Sequence, residues 1–257
     1  MLVTSETVHR LRAAGCVFAE DEAAVLTEAA DDAATLDAMV ERRVAGEPLE
    51  QVVGYADFHG VRVRLRPGVF VPRLRSELLV RIATQNATND SIVVDLCCGS
   101  GALGMAVRHI LPDITLHAAD LDPIAVACAA ENLDGENVHQ GDLYDALPTH
   151  LRGHVDVLIA NVPYVATRHI AFLPAEARDH EPHTALDGGD DGLAIFRAVA
   201  ERAREWLAPG GVLLSEITEA QSAAAIAIAD GNGLTATVAS DDDLDAYAII
   251  ARPVPAR

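Results

Sequence analysis

The chain has 257 residues, half of them hydrophobic, and a net charge of −20. So large an apolar fraction supports a sizeable core and excludes global disorder. All 19 basic residues are arginine, against 39 acidic ones. That balance argues against a nucleic-acid partner, because phosphate contacts need accumulated positive charge.

The opening Met1-Leu2-Val3-Thr4-Ser5-Glu6 lacks a basic segment followed by an apolar run, and no stretch approaches a membrane span. A cytoplasmic location without a membrane partner is the expectation. Cys16, Cys97, Cys98 and Cys128 fit reduced thiols: an adjacent pair is poorly placed for a disulfide, and no CxxC spacing occurs. The ten histidines show no metal-ligand spacing, so no metal is expected.

In chain order, residues 1 to about 46 read as helical, with Val8 and Leu11, Val25 and Leu26, and Leu36, Met39, Val40 and Val44 at helical spacing. Asp31 and Asp32 suit the start of the third helix, and Gly46 is a stop signal. Next, Val61, Val63 and Leu65 alternate with Arg62, Arg64 and Arg66 after Phe58-His59-Gly60. This is the period of a half-exposed strand in a hairpin, with the arginines on its solvated face. From Ser91 onward, strands are expected at 92–96, 114–119, 138–142, 155–160, 212–217, 234–239 and 246–251. Helices are expected at 102–110, 122–133, 193–207 and 220–229. Such alternation predicts an α/β, doubly wound sheet with helices on both faces. Three parts follow: a small helical domain over 1–50, a hairpin linker over 51–75 and an α/β domain over 76–257. Trp206 is expected in the core, and Asp241-Asp242-Asp243 in a solvated turn.

Two strand ends carry the chemistry. The first reads Asp95-Leu96-Cys97-Cys98-Gly99-Ser100-Gly101-Ala102-Leu103-Gly104, a G-x-G-x-x-G between a strand and a helix. Glycines let backbone approach a ligand closely, and a helix N-terminus favours an anionic group. Asp120 ends the next strand, where it can accept hydrogen bonds from ribose hydroxyls. A dehydrogenase would set these glycines against the pyrophosphate of NAD. A methyltransferase would set them against the amino-acid end of S-adenosylmethionine. Asp95 suits the second, because an acid meets an ammonium but repels a pyrophosphate.

The second strand end is Asn161-Val162-Pro163-Tyr164. The Asn161 carboxamide oxygen and the Val162 carbonyl can accept two hydrogens of one planar amino group, Pro163 stiffens the turn, and Tyr164 offers a face to pack on. Alone, these are ordinary turn residues.

Together with these motifs, Gly46-Glu47-Pro48-Leu49, Pro67-Gly68-Val69-Phe70-Val71-Pro72-Arg73, Gly141-Asp142-Leu143, His180-Glu181-Pro182 and Glu216-Ile217 occur in an ordered series. In that series the chain resembles the release-factor glutamine N5-methyltransferase family (HemK/PrmC type) of class I, S-adenosylmethionine-dependent enzymes. The resemblance implies a seven-stranded Rossmann-like methyltransferase sheet with its last strand antiparallel. It implies S-adenosyl-L-methionine as cofactor and a peptide-chain release factor as protein substrate, methylated on the glutamine of a Gly-Gly-Gln loop. N-methylation of a small metabolite is the alternative. By motif position, Asp95, Cys97, Cys98, Gly99, Ser100 and Gly101 would line the cofactor. Asp120 would hold its ribose, with Leu121 beside it. Leu143, next to Asp142, would border the adenine, and Phe70 would pack nearby. Asn161, at the cofactor's reactive end, would clamp the substrate amide with Val162, Pro163 and Tyr164. Three positions depart from the family pattern: Val162 stands for a proline, Cys97 for a glycine, and Leu74-Arg75-Ser76-Glu77 for Pro-Glu-Thr-Glu.

Overall fold

The structure, a computed structural model, describes residues 5–133, 135 and 137–255. Residues 1–4, which include most of the stretch inspected for a leader, lie outside the described residues.

Helices α1 (Ser5–Ala13), α2 (Ala19–Ala29) and α3 (Ala33–Val44) fall where the apolar spacing predicts them. Asp32 caps α3, its Oδ1 accepting the Thr35 N–H at 2.7 Å. A short α4 (Leu49–Val53) was not foreseen; Gly54 ends it with a positive φ of 80°. Leu11, Ala19, Ala23, Leu26, Val40 and Val52 pack into a core of their own. Buried Arg43 ties these helices together through Glu22 at 2.6 Å, and reaches Glu176 at 2.7 Å.

Strands β1 (Tyr55–Phe58) and β2 (Val61–Arg64) form the expected antiparallel hairpin. Its two-residue turn puts both His59 (φ 44°) and Gly60 (φ 83°) in the left-handed region. Two positive φ angles are the signature of the turn whose twist matches a hairpin. Val61 and Val63 face inward, while Arg62 faces out and pairs with Asp57 at 2.8 Å.

After α5 (Glu77–Asn86) the main sheet begins. Its elements are β3 (Ile92–Leu96), α6 (Ala102–Ile110), β4 (Thr115–Asp120), α7 (Pro123–Asn132), β5 (Val138–Gln140) and β6 (Val155–Ala160). There follow α8 (Ala175–His180), α9 (His183–Leu186), α10 (Ala194–Trp206), β7 (Leu207–Ile217), α11 (Ser222–Gly231), β8 (Leu234–Asp241) and β9 (Ala246–Pro253). The seven strands run in the order β5-β4-β3-β6-β7-β9-β8. All neighbours are parallel except β9, which is antiparallel to both β7 and β8. The last strand is thus the reversed one, as expected.

Two apolar layers cover the sheet. One joins α5, α6 and α7 to Phe58, Val61 and Val63 of the hairpin; the other holds Tyr144, Phe196 and Trp206 under α10 and α11. β7 starts five residues earlier than its apolar run suggests, because Leu207 pairs with Val155 across an irregularity in β6. β5 stops at Gln140, leaving Gly141 and Asp142 free to line the site.

The chain moves outward from β3 to β4 and β5, then returns to the other side for β6 and β7. Ligands in open α/β sheets bind at the carboxyl ends of strands flanking such a reversal. Here those ends are Leu96, before the glycine loop, and Ala160, before Asn161.

Candidate active site

A cavity of about 430 Å³ opens at this reversal. Every residue singled out from the sequence lines it except Asp95 and Gly101. The segment after β2 supplies Phe70, the loop after β3 supplies Cys97 to Ser100, and the end of β4 supplies Asp120 and Leu121. Asp142 and Leu143 come from the turn after β5, and Asn161 to Tyr164 from the loop after β6.

Asp95 and Gly101 sit behind this wall rather than in it. Asp95 is fully buried beneath the loop, where its Oδ2 accepts the Gly104 N–H at 2.9 Å. One of its oxygens is therefore used to hold the start of α6. Oδ1 has no hydrogen-bond partner among the described residues. Burial, with help from the charge of Asp120, pushes the Asp95 carboxyl up to about 7. Gly101, at φ 77°, precedes α6 and packs against Leu133, which a Cβ there would meet at 2.8 Å. Its role is close packing of the loop.

Asp120 organises the loop from the cavity side. Its Oδ2 accepts the Gly99 N–H and its Oδ1 the Asp122 N–H, both at 2.9 Å. Burial raises its pKa while these N–H groups oppose the rise. Asn132 fastens the loop to β2, accepting from the Arg64 N–H at 2.9 Å and donating to the Arg64 and Ser100 carbonyls at 3.0 and 2.9 Å.

Two non-glycine residues of the wall have positive φ, Cys97 at 58° and Leu143 at 45°. Cys97 thus adopts the conformation that a glycine would hold more cheaply, at a cost of about 1–2 kcal/mol. Burial and the nearby aspartates push the thiols of Cys97 and Cys98 up, so both stay protonated and unreactive at neutral pH.

Asn161 presents the feature that its motif leads one to seek. Its Nδ2 donates to Ser76 Oγ at 3.1 Å, and its Oδ1 is buried without a partner among the described residues. A buried, unpaired acceptor in a cavity wall is costly unless a ligand satisfies it. Gln221 braces the turn, donating to the Tyr164 carbonyl at 2.9 Å.

A family model, "Methyltransferase small domain", matches residues 60–177. The release factor glutamine methyltransferase of Streptomyces coelicolor is 38% identical over 189 residues, covering 71% of this chain and 67% of that protein. The chain belongs to the release factor glutamine methyltransferase family. The 4-amino-L-phenylalanine/4-methylamino-L-phenylalanine methyltransferase of Streptomyces pristinaespiralis is also 38% identical, over 69% of this chain and 63% of that one. Among solved structures, a methyltransferase from Pyrococcus furiosus superposes with a TM-score of 0.56 at 14% identity, covering 76% of this chain and 90% of that one; that likeness supports the fold.

Membership in this S-adenosylmethionine-dependent family sets aside the NAD reading. Among the lining residues that escaped functional assignment from sequence, two touch each other. Ser76 and Glu216 both line the cavity, and their side chains meet at 2.6 Å. The available signal was Glu216 itself, a carboxylate following Val212, Leu213, Leu214 and Ser215 in a strand that is mostly apolar.

Proposed function

We propose that this protein transfers a methyl group from S-adenosylmethionine to the N5 amide nitrogen of a glutamine in a peptide-chain release factor. Support comes first from Asn161, which lines the same cavity as the glycine loop and Asp120 and whose buried Oδ1 has no partner among the described residues. The donor set fits the cofactor. Asp120 retains acceptor capacity for ribose hydroxyls, Leu121, Leu143 and Phe70 offer apolar surface for a flat base, and Cys97 to Ser100 bring backbone close.

The cofactor, when bound, supplies an electrophilic methyl on a sulfonium. The chain's own contribution is alignment. An amide nitrogen is a weak nucleophile because its lone pair is delocalised into the carbonyl. Accepting its two hydrogens at Asn161 Oδ1 and the Val162 carbonyl holds that nitrogen in one orientation, which shortens the search for a reactive geometry. Pro163 stiffens the turn and Tyr164 closes the wall. The helical part, 1–50, and the linker, 51–75, serve in this reading to seat a protein acceptor in the cytoplasm before the catalytic part, 76–257.

Asn161→Ala tests this assignment: turnover should fall by at least about 10²-fold, as for loss of one positioned polar group. Cofactor affinity, read by calorimetry, should stay near wild type. Full turnover by that variant would remove Asn161 from the mechanism. The second reading, methylation of the amine of a small amino acid, is favoured by the Streptomyces pristinaespiralis relative. Offering 4-amino-L-phenylalanine and a release factor in one labelled-cofactor assay separates the two.

A further inference from the structure

Glu216 is 3% exposed near the end of β7, yet it lines the cavity together with Asn161. Both of its oxygens are engaged. Ser76 Oγ donates to Oε2 and the Tyr164 hydroxyl donates to Oε1, each at 2.6 Å. A serine hydroxyl carries one proton. With that proton committed to a carboxylate, Ser76 Oγ can only accept, and what it accepts is the Nδ2 hydrogen of Asn161 at 3.1 Å. The polarity of each bond follows from the one before it. Asn161 must turn its NH2 toward Ser76, which leaves Oδ1 as the unpartnered acceptor.

We propose that Glu216, acting through Ser76, is a positioning residue that fixes which way the Asn161 carboxamide faces. It thereby makes the site select acceptor nitrogens that have a hydrogen to donate. This rests on the amide-capture reading of Asn161. An asparagine without such a partner is nearly symmetric to its surroundings, and a flipped carboxamide would present NH2 to the acceptor, opposing one donor with another. A carboxylate at 216 forbids the flip because it has no proton to return. A neutral carboxamide or a protonated carboxyl there can donate to Ser76, which frees the serine proton for Asn161 Oδ1.

The groups facing Glu216 are the Ser76 and Tyr164 hydroxyls and the cations of Arg73 and Arg75. Burial raises the Glu216 pKa, while the hydroxyls and arginines oppose the rise. An ionised carboxylate is the form that orients Asn161, so the wild-type rate should fall on the acid side as Glu216 takes up its proton.

The experiment pairs Glu216→Gln, Ser76→Ala and Ser76→Thr. With release factor as acceptor, Glu216→Gln should lower kcat at least about tenfold, less than the roughly 10²-fold of removing a positioned polar group outright, with cofactor affinity unchanged. It should also lose the acid limb of the wild-type kcat profile. Ser76→Ala should fall likewise, and Ser76→Thr, which restores the hydroxyl, should recover most of that loss. Wild-type kcat and an intact acid limb in Glu216→Gln would overturn the proposal. If that variant does not fold, equal kcat in Ser76→Ala and Ser76→Thr overturns it instead. Should wild-type protein fail to methylate glutamine, the functional reading falls, and nitrogen-15 NMR still decides the relay. Asn161 side-chain NH2 signals that move in Glu216→Gln support it, and signals that do not move refute it.

Discussion

Replacing Asn132 with alanine removes the joint between β2 and the glycine loop. Asn132 is 8% exposed and makes three hydrogen bonds, two with Arg64 backbone and one with the Ser100 carbonyl. The Arg64 carbonyl keeps the Cys128 thiol at 3.3 Å as a second donor, but the Arg64 N–H and the Ser100 carbonyl lose this partner. The buried Ser100 carbonyl and the part-buried Arg64 N–H, stripped of a partner, cost about 1–1.5 kcal/mol each, and the third bond contributes about 0.5–1. The sum is about 3 kcal/mol, a sizeable part of the 5–15 kcal/mol typical of folded domains. Asn132→Asp discriminates further, since a carboxylate accepts from the Arg64 N–H but turns oxygen against two carbonyls. Its loss should equal or exceed that of alanine. Urea denaturation of the three proteins measures both differences. A loss below about 1 kcal/mol for Asn132→Ala, or a tolerated Asn132→Asp, would refute the reasoning.

Asp120→Ala should weaken binding of the cofactor or its demethylated product by about 1–3 kcal/mol, roughly 5- to 150-fold, as calorimetry would show. Unchanged affinity would confine Asp120 to holding the Gly99 and Asp122 N–H groups. At the sheet edge, His117 Nδ1 lies 3.1 Å from His139 Nε2, and burial with the neighbouring His139 and His150 lowers the His117 pKa to about 4. The unfolded chain therefore binds more protons between about pH 6.5 and 4, so stability is lost as pH falls through that window. His117→Leu should flatten this acid slope in chemical denaturation, and an unaltered slope would place its origin elsewhere.

Much of the fold is legible locally. The period-2 run at 61–65, the His59-Gly60 turn, the Asp32 cap and the apolar strand runs all act through near neighbours, and the structure keeps each of them. Strand order is different, because no local signal inserts β9 between β7 and β8. In the site, the motif residues were legible because strand ends after β3, β4 and β6 share one edge of a parallel sheet. Ser76 meeting Glu216 across 140 positions, and Asn132 meeting Arg64 across 68, were not. Such pairings are set by how α5, α7 and the linker pack on the sheet. The hydrogen bond from the Gly104 N–H in α6 to Asp95 was not legible for a related reason, since the sequence shows only that Asp95 stands before the loop.

The most direct test of the account is mass spectrometry of an intact release factor incubated with this protein and isotope-labelled S-adenosylmethionine. One labelled methyl is expected on the side-chain nitrogen of the Gly-Gly-Gln glutamine, absent when that residue is Gln→Asn and when the enzyme carries Asn161→Ala. A release factor that stays unlabelled while a small amine takes the methyl would contradict it.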